Sequence, residues 1–167
     1  MRLRIAVVLL AMSAAAAAQS SNGYLFFGAG GILSTDSKNG SFGHIGAGAD
    51  ILAVKRLGVN AEIGGQYGSV YEGAGYLSVA PGVSYHFLPG KERKIDLFVT
   101  GGYTLLRNSQ VQGNLFYAGA GLIRWGSGRA GLRVEFRDQV GSTTDFLHTA
   151  PSGAMHFLEF RVGLALR

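Results

Sequence analysis

The stretch GVNAEIGGQYG, residues 58–68, alternates two kinds of side chain. Val59, Ala61, Ile63, Gly65 and Tyr67 form one set, and Asn60, Glu62, Gly64 and Gln66 form the other. A period of two puts the two sets on opposite faces of a β-strand. One face of that strand is apolar and the other polar. The fold depends on which of them meets water and which meets lipid or a core.

The same alternation recurs along the chain. Segments of about ten residues, separated by turn residues, are expected at 24–33, 42–54, 58–68, 76–87, 95–106, 114–125, 129–139 and 155–167. Each is long enough to cross a bilayer as a tilted strand, which takes about 9–11 residues. The connections STDSKNGS, GSVYEGAG, RNSQVQG and GSTTDFLHTAPSGA alternate with KRLG, PGKERK and GSG. The odd connections read as longer than the even ones, so loops gather at one end and turns at the other. Such a rhythm is the habit of transmembrane barrels. Pro81 lacks an N–H and is expected to force a bulge in the fourth strand.

The apolar set includes Ile95, Leu97, Val99, Tyr103 and Leu105, then Leu132, Val134 and Phe136, then Leu158, Phe160, Val162, Leu164 and Leu166. Opposite them fall Asp96, Thr100 and Thr104, then Arg129, Arg133, Glu135 and Arg137, then Glu159 and Arg161. Earlier strands add His44, Asp50, Asn60, Glu62, Gln66, Ser78, Ser84 and His86. A soluble, lipocalin-like barrel would put this polar set in water. Two features oppose that. All four lysines (Lys38, Lys55, Lys91, Lys94) fall in connections, and the polar set is diluted with glycine and with Phe26, Phe98, Phe116 and Phe157. A confined, filled interior suits that mixture better than a solvated face. Aromatic residues on the apolar set, Tyr85, Phe87 and Trp125 toward the turns and Tyr67, Tyr103, Tyr117 and Phe136 toward the loops, then read as two interfacial girdles.

Composition agrees. Charged residues are 15% of the chain, against about 25% in a typical soluble protein, so much of the surface avoids water. The first residues, MRLRIAVVLLAMSAAAAAQS, pair Arg2 and Arg4 with a short apolar run and Ala16 and Ala18 at A-x-A positions. That pattern predicts a cleaved export signal over 1–18 and one barrel domain over 19–167. The apolar run is too short for a membrane-spanning helix, which needs about 20 residues. Removing Arg2 and Arg4 takes the formal charge from +5 to 5 − 2 = +3, and no basic run with interleaved aromatics suggests nucleic acid. With no cysteine, disulfides, thiolate metal sites and a lipidated start are excluded.

The signal, the eight alternating strands and the final strand FLEFRVGLALR, residues 157–167, resemble the small bacterial outer-membrane β-barrel proteins of the OmpA/OmpX-like kind. The resemblance implies an all-β, eight-stranded, antiparallel up-and-down barrel with both termini in the periplasm. It implies outer-membrane lipid, lipopolysaccharide and the assembly machinery as partners. The family's last strand usually ends in an aromatic; Leu166-Arg167 stands there instead.

An eight-stranded barrel is narrow enough for its own side chains to fill. Glu62, Arg133, Glu135, Arg137, Glu159 and Arg161 are therefore expected to pair as an interior charge network. A narrow ion path through the same charges is the alternative. Some barrels resembling this one act on acyl chains of lipid A with Ser, His and an acid near the rim. Asp145, His148 and Ser152 in the longest loop are weak candidates for such a triad, and His156 with Ser142 is a second option. His44 and His86 read as hydrogen-bonded interior groups. No metal spacing or complete glycine-rich nucleotide motif is present, so no metal or cofactor is expected.

Overall fold

A computed structural model of the chain describes residues 21–34, 39–54, 56–69, 75–88, 94–109, 112–142 and 153–167. Eight strands run β1 (Ser21–Ser34), β2 (Gly40–Val54), β3 (Leu57–Gly68), β4 (Gly75–His86), β5 (Ile95–Arg107), β6 (Gln112–Trp125), β7 (Ala130–Ser142) and β8 (Ala154–Leu166). Each pairs antiparallel with the next, and β1 pairs with β8, from Gly23↔Leu166 to Ser34↔Met155. The sheet is a closed barrel with no edge strand. The start of β1 and the end of β8 share one rim, here called the terminal end. The other rim is the loop end.

The opening alternation resolves outward and inward. Val59 is 58% and Ile63 57% exposed, whereas Asn60, Glu62 and Gln66 are buried in the barrel. A strand of this kind fits a barrel whose outside is apolar and whose inside is polar. The lipocalin-like arrangement, with the apolar set inside, is not the one adopted.

Three expectations are corrected. First, Pro81 makes no bulge. Its pairing with Ala61 keeps the register of β3–β4. On the other side the β4–β5 ladder skips Ala80 and Pro81 and resumes in the same register, from Val79↔Leu105 to Gly82↔Gly102. The missing N–H thus costs ladder contacts without inserting a residue. The strands close over that gap. A Cβ on Gly102 would lie 2.6 Å from the Gly82 Cα, which is why glycine is required there. The register shift falls instead at Leu52/Val54, at the β2–β3 turn.

Second, the length rhythm of the connections is incomplete. Segment 87–94 between β4 and β5 is longer than 69–74 and 108–111. Strand β4 stops at His86 while Phe87 and Leu88 stay exposed beyond it, and β5 and β6 run further into their connection than the turn residues suggest.

Third, β6 faces the other way. Phe116 is 72% exposed, whereas Tyr117 is 4% and Trp125 7% exposed and both point inward. Tyr117 and Trp125 are therefore not girdle residues, and Phe116 is not an interior one. Tyr67, Tyr85, Phe87 and Phe136 are exposed on the outside, and Tyr103 packs edge-on against Phe116 at 5.4 Å.

Candidate functional site

The interior is a column of three zones. At the loop end Ile32, Phe42, Tyr76, Leu106, Leu115, Met155 and Phe157 form a buried apolar cluster. At the terminal end Tyr24, Phe26, Phe98, Ile123, Trp125 and Ala165 form another. Lumen glycines make room for the rings. A Cβ on Gly48 would lie 2.6 Å from the Tyr24 Cζ, and one on Gly121 2.6 Å from the Phe98 Cζ. Large rings set opposite glycine fill a taper that uniform side chains would leave hollow or overpack.

Between the clusters lies the charge network, and all six of its side chains are buried. Arg133 reaches Glu135 at 2.9 Å, and Arg137 reaches Glu135 at 2.7 Å. Arg137 then grips Glu62 through two nitrogens, at 2.7 and 2.8 Å. Arg161 bridges Glu62 and Glu159, each at 2.8 Å. The result is one continuous chain, Arg133–Glu135–Arg137–Glu62–Arg161–Glu159. Three guanidinium groups face three carboxylates, so its net charge is zero. Burying an unpaired charge costs far more than burying a matched set.

The guanidinium planes also stack. Arg133 lies between the Tyr24 and Phe98 rings, at 4.2 and 4.0 Å from their centroids. Arg137 lies 4.2 Å above Tyr117, and Arg161 4.4 Å above Phe26. Planar cations stack and fork where an ammonium cannot. This explains together the arginines on the polar set, the Phe26 and Phe98 rings among them and the absence of lysine from the strands.

Polar groups extend the network both ways. Tyr24 donates its hydroxyl to Glu62 at 2.7 Å. His44 places Nδ1 3.0 Å from Glu159 and Nε2 2.9 Å from the Ser78 hydroxyl. Tyr117 donates to Asn60 at 2.9 Å, and Asn60 donates to Thr100 at 3.0 Å. Nearer the terminal end, His86 sits between two carboxylates, Asp50 at 2.9 Å and Asp96 at 2.7 Å, and Ser84 donates to Asp50 at 2.8 Å. Both histidines are thus hydrogen-bonded interior groups. Arg129 is absent from this network. It stands just before β7 and is exposed.

Of the weak catalytic candidates, Asp145, His148 and Ser152 lie outside the described residues. His156 is on the outer surface near the loop end, opposite Val140. Its Nδ1 lies 2.9 Å from the Asp138 carboxylate, which also faces outward. Ser142 occupies the other diagonal, two residues beyond Val140. The Asp138 partner was not singled out in the sequence. It shows only once β7 and β8 are in register, because the two residues are far apart along the chain. Among the described residues no group of three or more His, Asp or Glu side chains could hold a metal ion.

No family model matches the chain, and no curated protein matches it in sequence. Solved structures do match in shape. The outer membrane enzyme PagL superposes with a TM-score of 0.60 at 18% identity, over 84% of this chain and 97% of that one. OprG, an outer membrane protein from Pseudomonas aeruginosa, gives 0.58 at 9% identity, over 89% of this chain and 96% of that one. The N-terminal β-barrel domain of Pseudomonas aeruginosa OprF gives 0.54 at 16% identity, over 89% of this chain and 99% of that one. The chain has the fold of small outer-membrane β-barrels.

Proposed function

We propose that the chain spans a bacterial outer membrane as a plugged barrel, exported by the signal at 1–18, with a structural or interaction role carried by its loop end. One observation carries the reading: the outside is an apolar surface, and the inside is filled by paired polar and charged side chains, with a neutral arginine–glutamate chain between two buried apolar clusters. An apolar outer wall meets acyl chains without penalty, and closure leaves no strand edge unpaired in lipid. Lipid and lipopolysaccharide would surround the wall, and the assembly machinery would insert it. The same filling of the lumen argues against an ion path.

The test is the gel mobility of the outer-membrane fraction, boiled against unboiled in SDS. A barrel that shifts only on boiling is expected. A protein found in the soluble periplasm, with no shift, overturns the reading. A second reading, acyl-ester hydrolysis at the loop-end rim, is favoured by the imidazole of His156 turned with Nδ1 on Asp138. That orientation leaves Nε2 to take a proton from a nucleophile. Lipid A recovered unchanged from cells carrying wild type, His156→Ala and Ser142→Ala alike would remove it.

A further inference from the structure

The terminal end carries exposed cations that the interior network does not use. Lys94 stands immediately before β5, Arg124 is the penultimate residue of β6, and Arg129 stands immediately before β7. All three are exposed. The backbone brings them to one arc of the rim. Ile95, next to Lys94, pairs with Arg124, and the Trp125 N–H donates to the Lys94 carbonyl at 2.7 Å. Arg124 in turn pairs with Leu132, and the Gly126 N–H closes the β6–β7 turn on the Ala130 carbonyl at 2.9 Å. Arg56, in the β2–β3 turn, is also exposed and reaches the Tyr85 hydroxyl at 3.4 Å. Among the described residues, no carboxylate forms an ion pair with any of the four.

This lack of carboxylate partners contrasts with the interior, where every arginine of the network is paired. The arc also sits where the apolar wall stops, since Ile95, Leu97 and Leu132 are exposed just inside it. Arg124 stands on the outward parity of β6, with Lys94 and Arg129 beside it on the rim; a long cationic side chain at the edge of such a wall lays its stem along the apolar surface and lifts its charge to headgroup level. The guanidinium fork matches phosphate oxygens in geometry.

From this placement we infer that Lys94, Arg124 and Arg129 form a binding collar for anionic phospholipid headgroups in the leaflet that meets the terminal end. The inference rests on the proposed membrane-spanning reading. Under that reading the terminal end faces the periplasm and its leaflet is built of phospholipid. Each basic side chain near an anionic surface adds attraction that fades within a Debye length, so clustering them on one arc concentrates the effect.

The experiment folds the full mature chain into phosphatidylcholine vesicles and into vesicles with a minority of phosphatidylglycerol. It then measures the urea midpoint in each, with the boiling-dependent gel shift as the check on folding. The wild type is expected to show a higher midpoint with phosphatidylglycerol, and added salt to erase the difference. Arg124→Gln is expected to lose more of that difference than Arg107→Gln, which removes one exposed positive charge at the loop end. Lys94→Gln with Arg124→Gln and Arg129→Gln is expected to lose most of it. Equal midpoints in the two vesicles, with the gel shift intact, overturn the collar and leave the barrel reading standing. Equal losses from Arg124→Gln and Arg107→Gln also overturn it, because they mark diffuse attraction rather than a site. No gel shift in either vesicle overturns both readings.

Discussion

Glu62 is the residue on which the interior turns, since it alone joins the Arg137 and Arg161 branches. Glu62→Gln removes its charge and leaves two buried guanidinium groups short of a partner. Breaking such a site costs about 3–5 kcal/mol, so the variant is expected to unfold at clearly lower urea in vesicles. Arg137→Lys keeps the charge but gives up the two-nitrogen grip on Glu62 and the stacking on Tyr117. It is expected to lose about 1–3 kcal/mol by the same measurement. If Arg137→Lys matches the wild type, charge alone holds the interior and the stacking is incidental. At this scale the sequence was informative. Charges recurring on one parity in three different strands already placed the six network residues on one face. It did not show which acid meets which base, because that depends on pairs such as Glu62 and Arg161, which meet across the lumen from β3 and β8.

Strand β6 shows where that legibility fails. Both of its parities are apolar: Phe116, Ala118, Ala120 and Leu122 on one, and Leu115, Tyr117, Ile123 and Trp125 on the other. Alternation cannot choose between two apolar faces, so tertiary fit decides. Tyr117 finds Asn60 inside, Gly121 leaves space for the Phe98 ring, and Arg124 gains the rim. Strand β3 was readable because Asn60, Glu62 and Gln66 mark one parity unmistakably. Trp125 is the chain's single tryptophan and therefore a clean probe of the inversion. In vesicles containing brominated acyl chains its fluorescence is expected to be quenched weakly. A tryptophan placed at 116, in a Trp125→Phe background, is expected to be quenched strongly. Strong quenching of Trp125 itself would return it to the lipid face. The β4–β5 contact supplies a further check. Gly102→Val presses a side chain onto the Gly82 backbone, and overpacking of this kind costs about 1–3 kcal/mol.

Across the whole molecule, two apolar clusters bracket the ion chain, so a conducting path would have to breach both. Planar-bilayer recordings of the folded barrel are expected to be silent, and to remain silent for Arg133→Gln, which leaves the loop-end cluster intact. Sustained openings in the wild type would contradict the sealed interior. The barrel is also fastened by its own extremities, with Gly23 on Leu166 and Ser34 on Met155. That seam joins the earliest and latest strands to be synthesised. No shorter nascent chain can complete the ring, so a polypeptide halted before β8 would carry two raw edges and an open wall. Contacts between such remote positions are slow to form, because a long loop must be ordered before they reward it. The chain must be kept unclosed until its last strand arrives, and a truncated product betrays itself by an edge that the finished barrel never shows.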